Sequence, residues 1–308
     1  MIDIEVKHPT LNFSKHEVDQ ILAQFNRTVE SAQIDVDCIK TWIGTQPHLT
    51  QMPSDRLILN MLIRNKFSIE KTKTKLDYYY SIRSMIPEVF ENRLPTNPDI
   101  IEMRKISRTL TLPNLVGLNR VIFFVLDEMD HKFEAHTNLA KTFMDAEAII
   151  YRDFSSSVEI IWDCTKSNFA FWAAFTPMMS KIFVTVAEKV YSNRCHALRI
   201  IGLPTVAQVV VNGALACLPE KLRNRITTHS DPKEISQFYP KDQLPIEYGG
   251  TNATVHQMSA QFDDMMDGCV DYFRNIQNFK VDANLRPNKL DNDELLGYHG
   301  NFRKLDVD

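Results

Sequence analysis

Residues 200–225, IIGLPTVAQVVVNGALACLPEKLRNR, include the longest stretch of the chain without a charged side chain. Residues 200–219 have no charged side chain, and Pro204 suits the first turn of a helix that Pro219 would end. Such a helix is roughly 20 Å long at about 1.5 Å per residue, shorter than the ~20 apolar residues of a membrane span. A helix that is apolar on nearly all faces must be covered on nearly all faces. We therefore expect either a buried core helix or a lid over an apolar interior.

Basic residues surround this apolar segment. Lys221 and Arg225 follow it and are four residues apart, so they share a helix face, and Arg194 precedes it. Only Glu188 and Glu220 lie near these basic residues in the sequence. One interpretation is an ordinary solvated face. The other is a site for an anionic head group, because lysine and arginine bind phosphate well.

Composition limits the possible classes of protein. The chain has 308 residues, of which 44% are hydrophobic, enough for one large domain and a smaller one. A net charge of −4 gives no general attraction to nucleic acid or to anionic membranes. The amino terminus lacks the apolar core of a signal peptide, and the five cysteines are scattered without a CxxC pair. We expect reduced thiols and a cytoplasmic protein.

Residues 1–95 have the pattern of a bundle of short amphipathic helices. Ser14, Ser54 and Ser68 are suited to cap three of the helices, and a further helix is predicted over residues 34–43. The prolines at positions 87, 95 and 98 predict a linker after the bundle.

Residues 96–275 have the pattern of an α/β domain. Continuous apolar runs at residues 120–126, 158–162, 197–201 and 226–229 predict strands, and residues 138–154 and 177–191 predict helices between them. Such strands are typical of a mostly parallel sheet that is covered on both faces. A final helix is predicted over residues 254–274. The segment 276–308 is predicted to be a C-terminal tail packing on the domain.

No catalytic or metal-binding motif is present in the sequence. GxSxG, GxGxxG, Walker A and HExxH are all absent, and we predict no cofactor and no metal. Asp163 and Cys164 lie at the end of a predicted strand, where a nucleophile could sit, but no oxyanion glycines follow them. We therefore do not expect an enzyme.

The segment around residues 169–186 is unusually rich in bulky apolar side chains. Phe169, Phe171, Trp172 and Phe183 lie in this segment. An ordinary core is one explanation. Together with the uncharged segment and the apolar strands, however, this is more apolar surface than a two-layer core needs, which favours a large apolar cavity.

Four segments make the chain resemble the CRAL-TRIO (Sec14-like) lipid-binding family, in particular its tocopherol-transfer and retinaldehyde-binding group. Residues 55–71, DRLILNMLIRNKFSIEK, are similar to its N-terminal helix pair, and Asp163 followed by Thr176 and Pro177 matches its strand and helix spacing. Residues 204–225 resemble its gate helix, and residues 244–250, LPIEYGG, resemble its LPxEYGG turn. The ending at residues 300–308 is also similar to tails in this group.

The resemblance implies an N-terminal helical bundle followed by a CRAL-TRIO α/β domain that has a cavity and a mobile lid helix. Carried over by position, the implied ligand-binding residues are Leu139, Thr142, Ala146, Val158, Ile160, Trp162, Phe175, Phe183, Val186, Tyr191, Val206, Val210, Val211 and Leu218. The implied phosphoinositide-binding residues are Arg194, Lys221 and Arg225. This sequence departs from the family pattern at Asn65, Lys166 and His196.

The resemblance therefore predicts an intracellular carrier that encloses a retinoid, a tocopherol or a similar terpenoid lipid. It would exchange this ligand at membranes, guided by phosphoinositides, as a cytoplasmic protein that is peripheral at membranes and does not bind nucleic acid. The alternative is a lipid-dependent regulatory or scaffold module without transfer activity. A hydrolase working near Asp163 is a third and weaker possibility. We expect Thr142, Gln208 or Tyr191 to supply polar specificity.

Overall fold

The computed structural model describes residues 8–91, 93–127, 133–174, 176–191, 194–216 and 220–287. The segment 300–308, which carries part of the resemblance, lies outside the described residues.

The predicted N-terminal helices are present. They are α1 (Lys15–Ala23), α2 (Val29–Gly44), α3 (Asp55–Arg64) and α4 (Ile69–Met85). The side chains of Ser14, Ser54 and Ser68 accept backbone N–H groups as predicted. Helix α2 begins earlier than predicted because Thr28 and Ser31 form a capping box, which satisfies two otherwise unpaired N–H groups at the helix start.

The predicted linker is wrong at two of its three prolines, and Pro95 lies in the short non-helical segment between them. Pro87 begins α5 (Pro87–Phe90) and Pro98 begins α6 (Pro98–Ile106). Proline is favoured at the first position of a helix because the N–H that it lacks would be unpaired there. The prolines therefore start helices at these two places, and the domain boundaries at residues 95 and 275 stay predictions.

A five-stranded sheet forms the centre of the α/β region. Its strands are β1 (Ser107–Thr111), β2 (Asn119–Leu126), β3 (Ser157–Asp163), β4 (Cys195–Ile201) and β5 (Ile226–His229), paired in that order. Strands β2 to β5 are parallel, and β1 is antiparallel to β2. The predicted mostly parallel α/β fold is confirmed. Strand β1 was not predicted, because its sequence SRTLT is short and has no apolar run.

The remaining α-helices lie between the strands and after them along the chain. They are α7 (Ala135–Arg152), α8 (Phe169–Ala174), α9 (Pro177–Thr185), α10 (Thr205–Ala216), α11 (Glu220–Arg223), α12 (Val255–Asp267) and α13 (Val270–Ile276). The predicted helix over residues 254–274 is divided into α12 and α13 near Gly268. The predicted helix over residues 177–191 changes to a π-helical turn at Val186–Val190.

One face of the sheet is covered by a close-packed hydrophobic core. Val121, Phe123, Ile161 and Ile201 point to this face and join a buried cluster with Tyr248. Alternate strand residues point to opposite faces. The intervening residues therefore point to the other face, which α7, α9 and α10 cover.

The described part of the C-terminal segment contacts the N-terminal helices. Val281 forms an isolated bridge with Leu49, and Arg286 forms an ion pair with Asp77 of α4. In the described ranges, no helix has the length and apolar character needed to cross a membrane.

Candidate functional site

An apolar cavity lies between the second face of the sheet and helices α7, α9 and α10. It has two adjoining chambers, a first chamber of about 200 Å³ and a second chamber of about 190 Å³. Phe124, Thr142, Ile160, Phe183 and Leu198 are among the side chains that line both chambers. Because they share walls, we treat the two chambers as one elongated cavity.

The parallel register of the strands builds the cavity floor from two neighbouring rows of side chains. One row is Phe124, Trp162 and Ile200, which are register partners on β2, β3 and β4. The other row is Ile122, Ile160, Leu198 and Ile226, which all line the second chamber. The floor is therefore fixed by backbone hydrogen bonding of the sheet.

Helices α8 and α10 close the first chamber. Trp172 of α8 packs on Trp162 with ring centroids 5.6 Å apart, and on Phe171 at 5.1 Å. Ala207 and Val211 of α10 are buried against this aromatic group. Gln208 and Asn212 are exposed on the outer side of α10. Helix α10 thus presents one apolar face to the cavity and one face to solvent.

Most of the predicted wall residues line the cavity. Leu139, Thr142, Ile160, Trp162, Phe183 and Val211 line the first chamber, and Ala146, Val158 and Tyr191 line the second. Phe175 and Leu218 lie outside the described residues. Val206 and Val210 belong to α10, but their side chains are outside the described part of the structure. Their role in ligand binding stays a prediction.

Val186 is placed differently from the prediction. It is fully buried in the packed core, and Ala187 lines the second chamber instead. The reason is the spacing along the helix. Ala187 is four residues after Phe183 and three after Val184, both of which line the chamber, whereas Val186 is only two residues after Val184 and faces the core.

The predicted basic residues lie beside the start of β4. Arg194 donates to the carbonyl of Ser156 at 3.2 Å and Arg225 donates to the carbonyl of Cys195, while Lys221 is exposed on α11. Burial and the charge of Arg225 lower the pKa of Arg194. Within the part of the chain that the structure describes, neither arginine forms an ion pair with a carboxylate. The two adjacent cations therefore form a positive surface.

Both oxygens of Asp163 are engaged in hydrogen bonds. One accepts the N–H and hydroxyl of Thr165 at 2.9 and 2.6 Å, and the other accepts the Tyr248 hydroxyl at 2.7 Å. Burial and the Asp163 charge raise the pKa of Tyr248 well above its ordinary value. Asp163 thereby anchors the 244–250 turn to the end of β3. At Gly250 a side chain would clash, because a Cβ would lie 2.0 Å from the carbonyl oxygen of Leu244.

A buried carboxylate that the sequence analysis missed holds the wall of the second chamber. Glu147 is fully buried and accepts hydrogen bonds from Arg83 at 2.8 Å, Tyr191 at 2.9 Å and Tyr272 at 2.8 Å, and also from Tyr79. It connects α4, α7, the wall residue Tyr191 and α13. Its position within the apolar run AEAII of α7 could have indicated a buried carboxylate with hydrogen-bond partners, because a buried charge needs partners.

Arg64 of α3 lines the second chamber and was not among the predicted site residues. It is buried and lies among the otherwise uncharged described residues of the second chamber. Burial lowers the pKa of its guanidinium to about 10, so it remains charged at neutral pH. The N-terminal helices therefore contribute directly to the cavity wall.

The fold and cavity define an α/β domain with an enclosed apolar site, and comparison with known families places it among known domains. A family described as the CRAL/TRIO domain matches residues 118–250, and one described as a Pinta-like UBA domain matches residues 28–100. Residues 118–250 are therefore a CRAL-TRIO domain.

Similar proteins include two curated relatives called alpha-tocopherol transfer protein-like, from Pongo abelii and Homo sapiens. Each is 22% identical over 221 residues, which is 70% of this chain and 65% of the relative. The match thus spans just under two thirds of the relatives' length. The crystal structure of Sfh5 is 11% identical with a TM-score of 0.48, covering 81% of this chain and 93% of that one.

Proposed function

We propose that this protein is a carrier that encloses one small hydrophobic ligand between the sheet and α10 and exchanges it at membranes. The observation that carries the proposal is the pair of adjoining apolar chambers, whose floors are fixed by the sheet register. Ligand cavities are usually about 300–1,000 Å³, and the two chambers together reach the lower part of that range. The aromatic and aliphatic wall suits a retinoid, a tocopherol or a similar terpenoid.

Burial of the ligand supplies the binding energy. Covering a few hundred Å² of apolar ligand surface stabilises the complex by several kcal/mol at about 25 cal/mol per Å². Part of this is offset by the freedom that the ligand loses on binding. A ligand buried in this way is released slowly unless the cavity opens.

We propose that α10 is the element that opens. It packs on the cavity through one face, and its other face is exposed. Gly202, just before it, has φ +62°, and a Cβ there would lie 2.4 Å from Oγ1 of Thr165. A tight left-handed turn of this kind could serve as the hinge. Opening would present Val211 and Leu215 to a membrane.

Arg194, Lys221 and Arg225 would direct this opening to anionic membranes. Phosphate groups bind well to clustered arginine and lysine, and phosphoinositides concentrate such groups at a surface. The arginines are held by backbone carbonyls, which leaves their charge unneutralised by a described carboxylate. This charge would attract the protein to anionic membranes, where we propose a transient contact.

The proposal contains no catalytic step. The two oxygens of Asp163 are occupied by Thr165 and Tyr248, and burial raises the pKa of the adjacent Cys164 thiol far above its ordinary value. A thiol of raised pKa is a poor nucleophile. We assign Asp163 to the fold rather than to a reaction.

Transfer between vesicles tests the proposal. Donor vesicles loaded with retinol or α-tocopherol are mixed with acceptor vesicles, with and without the protein. We expect the protein to accelerate transfer, and more so when the acceptors contain a phosphoinositide. Tight binding without accelerated transfer would contradict the carrier and favour a lipid-dependent scaffold.

A further inference from the structure

Most polar groups that were expected to give the cavity specificity are already bonded within the protein. Thr142 donates its hydroxyl to the carbonyl of Asn138 at 2.8 Å, and Tyr191 donates to Glu147 at 2.9 Å. Gln208 is exposed on the outer side of α10. None of these three side chains directs an uncommitted donor into the cavity.

Asn138 of α7 is different. Its side chain lines the first chamber and is only 8% exposed. Its backbone N–H bonds to the carbonyl of Glu134 at 2.9 Å, and its backbone carbonyl accepts from Thr142. The side-chain oxygen Oδ1, however, is buried and has no hydrogen-bond partner among the described residues.

A buried oxygen without a hydrogen-bond partner is energetically unfavourable. About 90% or more of buried polar groups in folded proteins form a hydrogen bond, and those that do not are costly. The serine hydroxyls in the lining of this chamber, on Ser107 and Ser180, form no hydrogen bond with Oδ1, and most of the remaining lining is apolar. A molecule that enters the chamber can therefore supply the missing donor.

The position of Asn138 along α7 shows which part of a ligand would meet it. Asn138 lines only the first chamber, Thr142 lines both, and Ala146 lines only the second. These residues follow each other at four-residue intervals on one face of the helix. Asn138 and Ala146 are about 12 Å apart along the helix axis. An elongated ligand lying beside α7 would meet Asn138 at one end.

We propose that Asn138 recognises the hydroxyl end of the ligand. The first chamber then takes an elongated apolar alcohol or phenol whose O–H donates to Oδ1, while the apolar body extends past Thr142 into the second chamber. An ether or ester of the same body lacks the donor and leaves Oδ1 unpaired. This inference rests on the proposed carrier function and specifies its ligand class.

Matched ligand pairs test it. Retinol is compared with retinyl methyl ether, and α-tocopherol with its methyl ether, by equilibrium titration of the full chain. We expect the wild type to prefer the alcohol of at least one pair by about five- to tenfold, as one hydrogen bond supplies. Asn138→Leu, which has similar size and no acceptor, should bring that preference close to one. Asn212→Leu, the same substitution at an exposed position on the outer side of α10, is the control and should keep the preference.

Thermal unfolding of the ligand-free protein gives a second readout. We expect Asn138→Leu to have an equal or higher Tm than the wild type, because it removes an unpaired buried oxygen. A lower Tm with an unchanged preference would mean that Oδ1 has an internal partner or a bound water, and would overturn the inference.

The outcomes separate the inference from the carrier proposal. Equal binding of alcohol and ether by the wild type overturns the role of Asn138 while the carrier function stands. Failure of all four probes to bind contradicts the carrier function itself.

Discussion

The two faces of the sheet are packed differently although they are built by the same strands. On the packed face, Phe123 is fully buried and its ring lies 5.0 Å from that of Tyr248. On the cavity face, the next residue, Phe124, is half-buried and lines both chambers. Strand alternation thus places adjacent, identical side chains in a packed core and in a cavity wall. The predictions below test this division.

The largest effect is expected from truncating the two phenylalanines. Phe123→Ala should lower the free energy of unfolding by about 3–5 kcal/mol, because it leaves a cavity in a close-packed cluster. Phe124→Ala should cost clearly less, because its side chain already borders empty space, and should weaken ligand binding more. Urea unfolding of the ligand-free proteins and ligand titration measure both effects. Equal losses of stability would mean that the two faces are equally packed.

A charge on the cavity side of α10 should abolish ligand retention. Val211→Asp places a carboxylate against an apolar chamber, where an unpaired charge is strongly disfavoured, and we expect about 100-fold weaker binding. Gln208→Glu adds a charge to the exposed side of the same helix and should bind normally. Circular dichroism verifies that both variants are folded. Normal loading of Val211→Asp would show that α10 does not close the cavity.

Removing charge beside the cavity should slow transfer more than it weakens binding. Lys221→Ala with Arg225→Ala should lower the rate of transfer to phosphoinositide vesicles by about five- to tenfold. The matched control is Lys233→Ala with Lys241→Ala, which removes two exposed charges near the packed face. A similar decrease in the control would mean that transfer depends on the overall charge of the protein, and would contradict a specific role for Lys221 and Arg225.

The smallest expected effect is a pH dependence at α12. Burial raises the pKa of Asp263 to about 6. The positive charges of Arg104 and Lys141 lower this pKa, and the negative charges of Asp145 and Asp267 raise it. A raised carboxyl pKa stabilises the fold at low pH, and this contribution is lost as pH rises from about 4 to about 6. Asp263→Asn should therefore be more stable than the wild type by about 1 kcal/mol near pH 7.

The measurement is urea unfolding at several pH values. The difference between Asp263→Asn and the wild type should shrink as pH falls toward about 4. A constant difference across this range would show that Asp263 titrates normally.

Much of the fold could be predicted because the signals were local. Capping serines at positions 14, 54 and 68 fixed helix starts, and apolar runs fixed four of the five strands. Strand β1 has no such run, and its pairing with β2 depends on contacts distant in sequence. The prolines at 87 and 98 were misinterpreted because proline both breaks and begins helices.

The cavity wall was predicted in outline through the family resemblance, but its polar features were not. Ala187 could have been preferred to Val186 from helical periodicity, because it is at three- and four-residue spacing from the lining residues Val184 and Phe183. Asn138 has no sequence signature, because an unpaired oxygen is defined only by its three-dimensional neighbours. Glu147 could have been identified from a charge within an apolar run, but its partners come from three separate segments.

Native mass spectrometry of the purified protein tests the central claim most directly. We predict that the chain carries one apolar molecule of defined mass, which is released on denaturation and can be identified after organic extraction. The molecule should be an alcohol or phenol if the assignment of Asn138 holds. A chain that is empty as purified, and that stays empty after incubation with retinol, α-tocopherol and phospholipid, would contradict the claim that the cavity face of the sheet is a ligand site.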